Sequence, residues 1–213
     1  MNLAQHFEIC IKGETPLIMH SDTLCNPMHP LTKQMKEISS IRNKKDEHHI
    51  KMAELEFQAC IYYDSNLGVY MPSDCIYASF QAAARKYKLG TYMKAVLLES
   101  AIGYPIKELK GKTPVSLWNE KNADGMQKYT YTKSVVVSRS RIMRTRFITQ
   151  NWSLKISGDL LVELMSIDQL FMIAQTAGLE CGLCELRPQK GRGSFGKFTI
   201  ESFKSEGKEY VKN

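Results

Sequence analysis

Apolar and polar residues alternate from the start of the chain. Phe7, Ile9 and Ile11 fall on one face and Glu8, Cys10 and Lys12 on the other, the pattern of a half-buried strand. Gly13 interrupts it, and Thr15 to His20 resumes as an extended stretch, because Pro16 biases the residue before it toward β. After a loop of turn formers the period changes. Leu31, Met35 and Ile38, then Ile50, Ala53, Phe57 and Ile61, recur at helical spacing around a polar break, Arg42 to Asp46. This predicts a helical hairpin inserted over residues 28–61, with Asp46 capping its second helix. Leu67 to Met71 reads as a strand leading into a helix capped by Ser73 or Asp74, with Ile76, Phe80, Ala83 and Tyr87 as its buried stripe. Lys94 to Leu98 is expected to be a strand and 103–126 mostly loop.

From Tyr129 to Ser157 the chain is rich in β formers, with strands expected at 135–137, 142–148 and 152–156. Ser166 and Gln169 stand at capping-box spacing before a helix whose core face is Leu170, Ile173 and Ala177 and whose end is expected at Gly178. Lys197 to Phe203 alternates as a last strand. With the helical hairpin set aside, the order is strand, helix, strands, helix, strand. That order predicts one α+β domain over residues 1–213, a ferredoxin-like (RRM-like) split βαβ core with an antiparallel sheet.

Charge narrows the choice of partner. Lys and Arg number 29 against 22 Asp and Glu, a formal charge of +7 that attracts polyanions. The excess is concentrated. Arg139, Arg141, Arg144 and Arg146 lie within eight residues, and strict alternation would place the first two on one face of a strand and the last two on the other. One pair would then meet phosphate while the other makes internal ion pairs. Tyr129, Tyr131 and Phe147 are near enough in sequence to stack on bases or to pack internally. Lys44 and Lys45 sit at the tip of the helical hairpin, where a solvated turn is the plainer reading.

The segment Gly191 to Gly196 matches GxGxxG. The residues after it, Phe198 to Phe203, read as a strand instead of the helix whose N-terminus would receive a pyrophosphate, so the dinucleotide reading is rejected. A flexible glycine loop remains, flanked by Lys190, Arg192 and Lys197, suited either to phosphate or to turning a corner. His20 and Asp22 are the candidates for acid–base chemistry, with no activated nucleophile to serve. Cys181 and Cys184 lack a second pair at zinc-ligand spacing and read as buried thiols. No cofactor or metal is expected. No apolar run is long enough to span a membrane, and the N-terminal residues lack the layout of a secretory signal, so a cytoplasmic setting is expected.

The segment Val69 to Arg85, a strand, Pro72, a small polar turn and a helix ending in Arg85, resembles the RAMP superfamily, the ferredoxin-like RNA-binding proteins of CRISPR effector complexes, especially their repeated backbone subunits. Ser73 stands where those proteins usually carry Gly. The Lys190–Lys197 loop is similar to the glycine loop of that superfamily. Thr15 to His20, the Asn26-Pro27 turn, Arg144-Thr145-Arg146 and the stretch from Leu186 to Phe198 together resemble a family of tailed-phage and prophage proteins. The resemblances imply a phage or defence setting, Arg85 as a further contact to nucleic acid, assembly side by side along a strand, and Asp22 as the positional counterpart of an RNA-cutting aspartate. The function expected is non-catalytic binding of single-stranded RNA or DNA. The alternatives are an interaction protein that inhibits or imitates a host nucleoprotein complex, and an RNA endonuclease.

Overall fold

In the computed structural model, residues 3–191, 193–205 and 208–211 are described. In chain order the elements are β1 (Ala4–Gly13), β2 (Leu17–Met19), α1 (Pro30–Ser40), α2 (Asp46–Cys60), β3 (Tyr63–Asp64), β4 (Gly68–Pro72), α3 (Ser73–Lys86), β5 (Val96–Leu98) and β6 (Gly103–Pro105). They continue with α4 (Pro114–Asn119), β7 (Thr130–Val137), β8 (Ser140–Thr149), β9 (Ser153–Leu161), α5 (Ile167–Thr176), β10 (Phe198–Ser205) and β11 (Lys208–Val211).

The alternation of the first segment places β1 inside a five-stranded antiparallel sheet of order β11-β10-β1-β9-β5. Phe7, Ile9 and Ile11 face the core with Leu154, Ile156 and Leu160 of β9. α3 and α5 pack on this face through Ile76, Phe80 and Ala83, and through Leu170, Ile173 and Ala174. The register slips between Cys10 and Ile11, so Ser202 pairs with Cys10 and Ile200 with Ile11. The extra residue, Glu201, lets Ile200 and Phe203 both point inward although they are three apart. The opposite face is polar and ion-paired: Glu8 to Lys155 at 2.6 Å, Lys12 to Glu201 at 3.7 Å and Lys204 to Glu209 at 2.8 Å. Two small antiparallel sheets, β2-β8-β7 and β3-β4-β6, complete the α+β architecture.

The fold departs from the sequence-based expectations at identifiable points. Helix α4 lies in the stretch expected to be loop. Thr113 caps it by accepting from the Ser116 N–H, and Pro114 occupies its first position, a start signal hidden among glycines and lysines. Lys45 is the N-cap of α2, with Asp46 already inside the helix, and the Lys45 N–H donates to His48 Nδ1. Pro72 is the N-cap of α3, and Ser73 turns its hydroxyl to the Ser100 carbonyl. A 3-10 turn, Gly90–Ala95, takes the start of the expected strand and leaves β5 only three residues. Ile50 and Tyr87, expected on buried stripes, are exposed.

The capping box at Ser166 and Gln169 is formed as expected. The helix it starts does not stop at Gly178, because a π turn carries the chain on to Cys181. Gly182 ends it, at a φ of 70°. Gly178 serves a different need: a β-carbon there would fall 2.1 Å from the Phe198 carbonyl oxygen, so its absence lets the turn approach β10. Gly178→Ala is therefore expected to lower stability by about 1–3 kcal/mol, in the range for overpacking, measured by urea denaturation.

Candidate nucleic-acid interface

β7 and β8 form a hairpin whose two-residue turn is Ser138-Arg139, with Val137 opposite Ser140. Both turn residues have positive φ, 48° and 69°, the mirror-image turn whose twist suits a hairpin and which favours Asn-Gly. Arg139 thus occupies the tip of the hairpin instead of a strand face, and its left-handed backbone costs about 1–2 kcal/mol. Arg141 lies opposite Val136, and Met143 opposite Ser134, all exposed.

Arg144 and Arg146 share the other face, as alternation predicts. Their registers place Lys133 opposite Arg144 and Tyr131 opposite Arg146. How this face is held depends on the outer edge of β8. β2 covers that edge only from Phe147 to Thr149. Beyond it α2 takes over, with Glu56 Oε2 accepting from the Thr145 N–H at 2.9 Å and Cys60 Sγ accepting from the Phe147 N–H at 3.0 Å. Glu56 Oε1 pairs with Arg144, and the Glu56 side chain is only 10% exposed. Burial pushes the Cys60 thiol up to about 12, so it remains a neutral group at this edge.

The glycine loop is pinned, not free. The Leu183 N–H donates to the Gly196 carbonyl at 2.9 Å and the Phe195 N–H to the Leu186 carbonyl at 3.3 Å. The Glu185 and Gly196 N–H groups bond the carbonyls of Ile18 and Pro16 on the β2 segment. A β-carbon on Gly193 would lie 1.8 Å from the Leu186 carbonyl oxygen, so that glycine serves a close crossing of backbone. From β2 the loop reaches to β7, where the Phe195 ring meets Tyr131 edge-on at 5.7 Å. A cavity of about 410 Å³ opens there among Tyr131, Lys133, Lys190, Gly193, Ser194 and Glu185. A smaller one of about 160 Å³ lies between α2 and β8, with Leu24, Ala59 and Cys60 as apolar walls and His20, Arg144 and Arg146 as cationic and imidazole groups.

The two cavities carry the charges that matter. Arg144 is engaged by Glu56. Lys133, Arg146 and Lys190 have no carboxylate partner among the described residues, and Arg146 Nε is buried without a hydrogen bond. Burial lowers the pKa of His20, with Arg146 and Arg144 adding to the effect against the pull of Glu185. The imidazole is therefore neutral near pH 7 and responsive to any anion brought beside it.

Other residues singled out in the sequence lie elsewhere. Asp22 is the residue before a short 3-10 turn, which its side chain does not cap. Lys197 lines a separate cavity with Gln175 and Leu179. Lys44 donates to the carbonyls of Ser39 and Ile41 and so closes the end of α1, while Lys45 is exposed. Arg85 lies at the end of α3 in a cavity of its own. Arg192 falls outside the described residues. Tyr129 and Phe147 are core residues, Phe147 packing on Phe57 and Tyr129 bonding Lys112, which leaves Tyr131 as the accessible ring of the three.

Sequence reasoning missed Lys133 and Phe195, because only the register of β7 on β8 and the approach of the glycine loop to β7 bring them to one place. It also missed Cys75. The Cys75 thiol is drawn down to about 7 by a hydrogen bond with Cys184, helped by Arg187 and Tyr62. No protein-family model matches this chain, and no curated protein matches its sequence. No helix among the described residues is long and apolar enough to cross a membrane.

Glu56 is the test of how the face is built. Glu56→Ala orphans the Thr145 N–H and releases Arg144, and is expected to lower stability by about 1–3 kcal/mol in urea denaturation. Glu56→Gln keeps an acceptor for Thr145 and is expected to lose less.

Proposed function

We propose that this protein binds single-stranded RNA or DNA without cleaving it, along the face made by β7, β8 and the glycine loop. The observation that carries the reading is that Lys133 and Lys190, without carboxylate partners among the described residues, line the cavity at the ring pair Tyr131–Phe195, while Arg146, which lines the α2–β8 cavity, lies opposite Tyr131 in the strand register. Unpaired cations neutralise phosphates, and a half-buried ring offers a face to a base, the combination that holds a single strand with little regard to sequence. The arginine run divides its labour: Arg144 holds structure and Arg146 meets the ligand, while Arg139 and Arg141 extend the positive field along the projecting hairpin.

In this reading the main sheet is a ferredoxin-like unit. The segments β1-α3-β5 and β9-α5-β10 supply the order β10-β1-β9-β5, and β11 adds an edge strand, in accord with a RAMP-like protein of a phage or defence system. The open face of that sheet is not the binding surface. His6, Glu8, Cys10 and Lys12 of β1 and their partners in β9 and β10 include no Phe, Tyr or Trp, the His6 ring is engaged by Asp159, and the charges there are paired with one another.

The test is binding of a short labelled single strand over a range of salt. Three phosphate contacts predict a slope of about −2 for log affinity against log salt. Lys133→Ala/Arg146→Ala leaves the Glu56–Arg144 pair intact, and is expected to bring the slope to about −0.7 and weaken binding at least ~10-fold. A slope and affinity unchanged in that variant, or no binding at low salt, overturn the proposal. Phosphate beside His20 raises the imidazole pKa from its depressed value, so binding takes up a proton. Affinity is accordingly expected to rise as pH falls through the window between the bound and free values, and the rise is expected to vanish in His20→Asn.

A further inference from the structure

A second concave site lies on the body of the protein, at the end of α3. A cavity of about 470 Å³ is lined by Tyr77, Gln81, Arg85, Lys88, Gly90, Thr91 and Lys94, three cations and polar donors with no carboxylate among them. Lysine and arginine near a helix C-terminus have an ordinary role, complementing the helix dipole and its free carbonyls. Lys86, in the same turn, shows what a structural cation looks like here: it pairs with Glu180. Lys88 and Lys94 have no such partner among the described residues, and Arg85 bonds only the neutral Gln81, at 3.4 Å.

The backbone at Lys88 gives the second, independent observation. The helix ends with the Leu89 N–H bonded to the Ala84 carbonyl at 2.9 Å, and Lys88 sits in the left-handed conformation that closes such an end, at a φ of 61°. Glycine is the residue suited to that position, because a β-carbon there is strained. A lysine occupies it, and that lysine lines the cavity. The stem of Arg85 is set by a neighbour that has no side chain, since a β-carbon on Gly90 would lie 2.8 Å from Arg85 Cγ. The left-handed backbone at Lys88 and the missing side chain at Gly90 accompany Lys88 and Arg85 where, with Lys94, they line one hollow that has no carboxylate.

We propose that this cavity is a phosphate-binding site for a ligand with two or more linked phosphates, separate from the hairpin face. Arg85, Lys88 and Lys94 would neutralise the phosphates, and Gln81, Thr91 and Tyr77 would supply hydrogen-bonding groups. A free nucleoside polyphosphate and the backbone of a bound strand offer the same chemistry, and the site does not depend on the hairpin face binding anything.

Calorimetric titration of the full chain with inorganic pyrophosphate, with adenosine triphosphate and with a single-stranded oligonucleotide tests this. The decisive variant is Lys88→Gly, which relieves the strained position while removing the charge. It is expected to leave the Tm unchanged or raise it, and to weaken pyrophosphate binding about 10-fold. Lys94→Gln is expected to weaken it similarly. Tighter binding of the triphosphate than of the oligonucleotide identifies a free nucleotide as the ligand. Oligonucleotide binding weakened by Lys88→Gly and competed by pyrophosphate identifies the strand backbone. No binding of pyrophosphate or triphosphate together with oligonucleotide affinity unchanged in Lys88→Gly overturns the site. In that case a strand still lost by Lys133→Ala/Arg146→Ala leaves the hairpin face standing. A fall in Tm and an unchanged affinity in Lys88→Gly would instead assign Lys88 a purely structural role, and would equally overturn the proposal.

Discussion

One largely covered carboxylate, Glu56, organises the hairpin on which the proposed function rests. β8 runs past the end of its short neighbour β2, and the backbone N–H groups it leaves exposed at that edge must find acceptors. Glu56 and Cys60 of α2 provide them, and Glu56 ties down Arg144 in the same gesture. An inserted helix thus does the work of a missing strand. Phe57, packed between Phe147 and Trp118, fixes the helix against the sheet, so that polar clasp and apolar contact support each other.

The clasp also decides which cations are free. With Arg144 held by Glu56, the charge left for a ligand comes from Arg146, Lys133 and Lys190, residues brought together by strand register and by the pinned glycine loop. Under the proposed function, cations around a ring at the hairpin, on a different part of the molecule from the ion-paired open face of the main sheet, would direct a polyanion to one side of the molecule. His20 adds a group whose charge depends on what lies beside it, because burial and two arginines hold its pKa down.

Much of the fold was legible in the chain. The alternation of Phe7, Ile9 and Ile11, the helical spacing of Ile76, Phe80 and Ala83, and the Ser166–Gln169 box each state a local preference that the tertiary structure respects. Some failures are local, such as the Thr113–Ser116 cap that starts α4, and others concern residues whose roles are set by partners distant in sequence. Gly178 looks like a helix end and is a close approach to Phe198. Tyr129 and Phe147 look like stacking platforms and are core. In the arginine run, sequence correctly separates strand faces but cannot distinguish Arg144 from Arg146, because the difference is Glu56, 88 residues away from Arg144. Lys133 and Phe195 stand out only once β7 and the glycine loop are seen together.

The central claim is that a strand lies against Tyr131 and Phe195. Ultraviolet crosslinking of an oligonucleotide to the protein, followed by mass-spectrometric mapping of the modified residues, tests it most directly, because aromatic rings stacked on bases crosslink in preference to their surroundings. Crosslinks are expected at Tyr131 and Phe195, and are expected to be lost when Lys133 and Arg146 are replaced. Crosslinks confined to residues on the open face of the main sheet, or a bound strand that never marks the hairpin or the loop, would contradict the claim.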